Sequence, residues 1–126
     1  MKKVLIVDDV KGWRDYNSNI VKELFEEVEI ETADSAQEAY DILLQEKPFD
    51  IIITDLQMED TFEPKFAGEW LVEQIKTLSS YKNSRIIISS GTFNIKNIAE
   101  GLNVDYIPKR VACGDIQKYE DVILGR

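Results

Sequence analysis

Five short apolar runs recur along the chain: VLIV (4–7), VEIET (28–32), IIIT (51–54), RIIIS (85–89) and VDYI (104–107). Each is too short for an ordinary helix and rich in β-branched residues, so each reads as a strand. The first, third and fourth are continuous apolar runs, as strands covered on both faces are. The second alternates polar with apolar residues and reads as an edge. Helical spacing fills the gaps. Trp13, Ile20, Leu24 and Val28, with Val21 and Phe25 beside them, fall on one face. SAQEAYDILLQEKP (35–48) opens with Ser35 and Glu38 as a capping box and stops before Pro48. GEWLVEQIKTL (68–78) carries Leu71, Ile75 and Leu78 on one face, FNIKNIAEGL (93–102) is a short helix, and GDIQKYEDVILGR (114–126) ends the chain. Strand and helix alternating in this way predict a parallel α/β sheet with helices on both faces. Right-handed crossovers leave only a few doubly wound topologies.

At 126 residues, with six Gly and three Pro, the chain is expected to form one ordered domain, 1–126, without a linker. Its net charge of −9 would repel a phosphate backbone, so no direct nucleic-acid binding is expected. Cys113 is the only cysteine, which rules out an intramolecular disulfide and favours a cytoplasmic setting. The apolar run after the basic start is too short for a signal peptide, and no run approaches the length of a membrane span. There is no histidine, which removes Ser-His triads, phosphohistidine chemistry on this chain and the commonest zinc ligand.

In doubly wound sheets, ligands bind beyond the carboxyl ends of the strands. There the first strand meets Asp8 and Asp9, the third Asp55, the fourth ends in Ser89 and Ser90, and the fifth leads to Lys109. Adjacent carboxylates repel each other unless a cation sits beside them. Their hard oxygens suit Mg²⁺ or Mn²⁺, which keep waters and bind phosphate oxygens. An Asp can itself be a nucleophile that becomes an aspartyl-phosphate. Phosphoryl transfer to it needs charge neutralisation, which a metal and a Lys provide, and a hydroxyl donor. Any one of these residues alone would be an ordinary turn or surface group. Their convergence on one sheet edge carries the reading.

The order VDD, ITDLQM, ISSG and DYIPK along a (βα)5 chain resembles the receiver domain of two-component response regulators over essentially its whole length. The resemblance implies a flavodoxin/CheY-like sheet of strand order 2-1-3-4-5. It implies Asp55 as phosphoacceptor, served by a histidine kinase or a histidine phosphotransfer protein. Asp9 would ligate Mg²⁺ directly and Asp8 through water, with Asp55 and the backbone carbonyl of Gln57 completing the set. Ser90, which precedes Gly91, would be the switch hydroxyl, Tyr106 the rotating aromatic, and Lys109 the partner of the phosphoryl oxygens. The chain would then be a switch and not a turnover enzyme, acting on a protein target, by phosphoryl relay or through a phosphorylation-dependent dimer. It would bind no membrane.

Three departures from the family pattern stand out. Proline usually follows the active-site Lys through a cis bond; here Pro108 precedes Lys109 and Arg110 follows. A cis bond without proline costs about 2.5–4 kcal/mol, so Lys109–Arg110 is expected to be trans, with Arg110 a second candidate cation. The loop LQMEDTFEPKFAG (56–68) is longer than the norm, a tolerated insertion or a lid whose Phe62 and Phe66 would offer hydrophobic contacts. The stretch from Ser90 to Lys109 is short, which clips the fourth helix. Trp13 reads as packing. Two further readings stay open at this stage: a pseudo-receiver that does not use phosphate, and a receiver cut from a larger DNA-binding regulator. A Mg²⁺-dependent aspartyl-phosphate phosphohydrolase fits less well, because its Asp-x-Asp spacing is missing after the first strand. A Rossmann nucleotide binder lacks its G-x-G-x-x-G.

Overall fold

Alternate side chains of a strand leave opposite faces of its sheet, so continuous Ile/Val runs need cover on both sides. The computed structural model describes residues 1–126, apart from the side chain of Cys113. The elements run β1 (Lys2–Val7), α1 (Lys11–Leu24), β2 (Val28–Ala33), α2 (Ala36–Leu43), β3 (Ile51–Thr54), α3 (Ala67–Thr77), β4 (Arg85–Ser90), α4 (Ile95–Leu102), β5 (Asp105–Pro108) and α5 (Ile116–Leu124). The five strands form one parallel sheet in the order β2-β1-β3-β4-β5. This is the α/β, CheY-like doubly wound fold that the resemblance implied.

Leu5, Val7, Ile52 and Ile88 turn to one face and pack with Leu43 of α2, Leu71 and Ile75 of α3 and Ile95 of α4. Val4, Ile6, Ile53 and Ile87 turn to the other, against Ile20 and Val21 of α1 and Tyr119 and Ile123 of α5. Every residue of β3 is buried, whereas β2 is half-exposed, as an edge strand should be. Burying each of these aliphatic side chains contributes about 1.5–3 kcal/mol, which makes the two-sided pattern decisive for the topology.

The helical face starting at Trp13 is shorter than its spacing suggests. Phe25 closes α1 in an extended conformation, its amide bonded to the Val21 carbonyl at 3.2 Å. Val28 opens β2 instead of continuing the helix, and with Ile30 it packs on the α1/α5 side. Pairing with β1, in the register Lys2↔Val28, outweighs the helical period there.

The loop between β3 and α3 folds back on the domain. Glu59 accepts from the backbone amides of Ala36 and Gln37, at 2.8 and 3.1 Å, so its carboxylate sits on the N-terminus of α2. Ser35 caps the same helix, accepting from the Glu38 amide at 3.1 Å. A 3-10 turn at Asp60–Phe62 brings the Phe62 ring onto Trp70, stacked at 4.1 Å, and Tyr40 meets Trp70 edge-on at 5.3 Å. Phe62 and Phe66 are therefore half-buried against the core, not presented as free contact points. For Phe62 the stacked Trp70 ring of α3 explains why.

Candidate functional site

The carboxyl ends of β1, β3, β4 and β5 bring the candidate residues together. Main-chain pairing fixes each position: the Asp8 amide donates to Ala33 at 3.1 Å, and the Asp55 amide donates to Val7 at 2.9 Å. Gly68 lets α3 begin directly against this edge. A Cβ there would lie 2.1 Å from the Asp55 carbonyl oxygen and 2.7 Å from the Leu56 Cα.

Carboxylate oxygens of Asp8, Asp9 and Asp55 all lie within 4.8 Å of one another. Asp8 and Asp55 are buried and Asp9 is exposed. One oxygen of Asp8 accepts from the Val10 amide at 2.9 Å, and one of Asp55 accepts from the Leu56 amide at 2.7 Å. The remaining oxygens face Lys109, whose Nζ lies 2.8 Å from Asp8 Oδ2 and 3.2 Å from Asp55 Oδ2. Arg14 steadies the first strand end by donating to the Asp8 carbonyl at 2.7 Å.

Burial, assisted by the Asp8 charge, raises the Asp55 carboxyl above its ordinary range, and the Lys109 ammonium opposes that rise. Asp9 is raised as well, by partial desolvation and then by Asp8. Carboxylates so crowded and only partly neutralised form an oxygen donor set of the kind that hard divalent cations take.

Ser90 is the last residue of β4, paired with Pro108, and fully buried; its Oγ accepts from the Thr92 amide at 3.3 Å. Ser89 is also buried and has the opposite side-chain parity on the strand, near the Tyr119 hydroxyl. Tyr106 is half-buried against the α2/α3/α4 side and lines an open groove of about 420 Å³ with Glu100, Pro108 and Val122. Gln57 is exposed two residues past Asp55.

Lys109 reaches the carboxylates although proline does not follow it. Among the described residues the only cis peptide bond precedes Pro64, so Lys109–Arg110 is trans, as expected. Arg110 is exposed, and of the two cations Lys109 is the one brought to the acidic cluster. The structure adds a contact that the sequence reading missed: Lys109 Nζ stands over the Trp13 ring, 4.9 Å from its centroid. A Trp in the first turn after an acidic pair at a strand end was the available signal.

The family model for the response regulator receiver domain matches residues 4–119. Solved structures agree in fold. A signal receiver domain of a DNA-binding response regulator from Colwellia psychrerythraea 34H is 21% identical, with a TM-score of 0.80 over 99% of this chain and 97% of that one. A response regulator receiver protein from Pseudomonas putida is 26% identical, with a TM-score of 0.76 over 99% and 97%. Response regulator TrrA from Thermotoga maritima, solved in complex with Mg²⁺-BeF, is 21% identical, with a TM-score of 0.74 over 98% and 99%. No match is found among curated proteins. The motif order, the sheet topology, the acidic cluster with its lysine and the family match converge: the chain belongs to the response regulator receiver domain family.

Proposed function

We propose that residues 1–126 form a single receiver domain that works as a phosphoryl-accepting switch, with Asp55 as the acceptor. The observation that carries this is the placement of Asp55 inside a cluster of carboxylates while Lys109 approaches one of its oxygens at 3.2 Å. Asp8, Asp9, Asp55 and the backbone carbonyl of Gln57 would hold Mg²⁺ or Mn²⁺. When bound, such a cation supplies positive charge for both the carboxylates and the incoming phosphoryl oxygens.

The donor is a phosphohistidine on a histidine kinase or phosphotransfer protein. An Asp55 carboxylate oxygen attacks phosphorus, the donor P–N bond breaks, and the imidazole leaves with the bonding pair and takes up a proton from solvent. Lys109 neutralises charge developing on the phosphoryl oxygens. Ser90 then exchanges its Thr92 amide for a phosphoryl oxygen, to which its hydroxyl donates. Tyr106 turns inward from the groove at β5, and the two movements shift the population toward the active form. The output is binding to a protein target, relay of the phosphoryl group, or a phosphorylation-dependent dimer, in the cytoplasm and without turnover of a substrate. Among the described residues, no helix is long and apolar enough to cross a membrane.

The test is intact mass after incubation with acetyl phosphate, with and without Mg²⁺, on the native chain and on Asp55→Asn. A single Mg²⁺-dependent phosphoryl adduct, absent from the variant, is expected. An adduct that persists in Asp55→Asn would overturn the assignment. No adduct from either a small donor or a phosphorylated histidine protein would favour a phosphate-independent interaction module.

A further inference from the structure

A lysine side chain is long and has many rotamers, and holding its ammonium at one point requires partners on more than one side. Lys109 has two kinds. Asp8 and Asp55 draw the ammonium from the sheet edge, at 2.8 and 3.2 Å. The other is the Trp13 ring, over which the ammonium stands 4.9 Å from the centroid. A cation over an indole face is attracted by the ring's quadrupole, more strongly where water is partly excluded. The Lys109 side chain is only 12% exposed, so this contact is largely screened from solvent.

Trp13 is itself braced. Its ring meets Tyr16 edge-on at 5.5 Å, and Tyr16 meets Tyr119 edge-on at 5.5 Å. Tyr119 is fully buried and hydrogen-bonded through its hydroxyl to Asn17 Oδ1. Asn17 closes the circuit by donating from its side-chain amide to the Trp13 carbonyl at 3.1 Å. The indole is thus fixed from the α1/α5 core through both its ring and its backbone, on an element that does not include Lys109.

We propose that Trp13 is a positioning residue for Lys109, its indole face holding the ammonium at Asp55. The consequence is greatest when a divalent cation takes over Asp8 and Asp9. The ion pair to Asp8 is then weakened, and the neutral indole is the partner that does not change. This rests on the reading of Lys109 given under Proposed function, and the two can be told apart by measurement.

The first measurement is independent of phosphorylation. In the native protein, the ε-methylene NMR resonance of Lys109 should be shifted upfield of the other lysines by the indole ring current. The shift should survive saturating Mg²⁺ and vanish in Trp13→Leu. Its absence in the native protein with Mg²⁺ present would overturn the proposal, whether or not Asp55 is phosphorylated.

The second is the rate of Asp55 adduct formation from acetyl phosphate. Trp13→Leu should slow it about 5- to 30-fold, the range that one cation–π contact supports. Trp13→Phe and Trp13→Tyr should recover most of the rate, and Trp13→Leu should add nothing in a Lys109→Met background. Equal rates for Trp13→Phe and Trp13→Leu, or an undiminished effect of Trp13→Leu without Lys109, would show that the ring acts by packing alone. Retained thermal transitions in the Phe and Tyr variants keep the comparison among folded proteins.

Discussion

Removing the ammonium while keeping its stem, by Lys109→Met, isolates what the cation does in the metal-free protein. The side chains of Asp8 and Asp55 are 2% and 6% exposed, and Lys109 is their shared counter-ion. Breaking one side of a buried pair costs about 3–5 kcal/mol, because the partner is left charged and desolvated. Protonation limits that cost. Neutralising a carboxyl of ordinary affinity near pH 7 takes about 4 kcal/mol, and near pH 5 only about 1.5 kcal/mol. The variant should therefore lose about 4 kcal/mol near neutrality and less than half of that near pH 5. For a chain of this size that is on the order of 10–20 °C in Tm at the higher pH.

The sign follows from Asp55, whose folded carboxyl already lies above its ordinary range and rises further without Lys109, the cation that opposes the shift. Such a group binds more protons folded than unfolded. The variant's deficit is thus small below the ordinary carboxyl range and grows as pH climbs through the raised value. Thermal denaturation across pH, with and without Mg²⁺, measures this. Mg²⁺ should stabilise Lys109→Met more than the native chain, since it replaces the missing charge and no longer competes with an ammonium. A deficit that stays the same from about pH 5 to about pH 7 would refute the electrostatic account and leave lost packing on Trp13 as the cause.

Other consequences are equally accessible. Glu59→Ala should cost about 0.5–2 kcal/mol in urea denaturation by uncapping α2, and added salt should narrow the difference from the native chain. Gly68→Ala should destabilise by about 3 kcal/mol and slow adduct formation. Its Cβ cannot fit 2.1 Å from the Asp55 carbonyl without moving the Asp55 backbone. Tyr119, buried and bonded to Asn17, has its phenol pushed up to about 12 by burial. Burial raises the Tyr81 phenol as well, so late-ionising tyrosinate absorbance should be reduced, not abolished, in Tyr119→Phe. The contribution of Tyr119 to stability should hold below the ordinary phenol range and be lost as pH climbs toward about 12.

Local periodicity and one topological rule carried the sequence a long way. Continuous Ile/Val runs at 4–7, 51–54 and 85–89 can be buried only in a sheet covered on both faces, and strand–helix alternation makes that sheet parallel. Parallel strands send all their carboxyl ends to one edge, so Asp8, Asp9, Asp55, Ser90 and Lys109 had to gather there. What the tertiary structure alone decided involves partners far apart in sequence. Lys109 finds Asp55 54 residues away, Tyr119 finds Asn17 102 away, and Glu59 finds the α2 amides more than 20 away. The same holds for Phe62, drawn inward by Trp70. Trp13 was legible as an apolar helix residue. Its place beneath Lys109 was not, because that depends on where the end of β5 delivers a side chain to α1, and no local period encodes that distance.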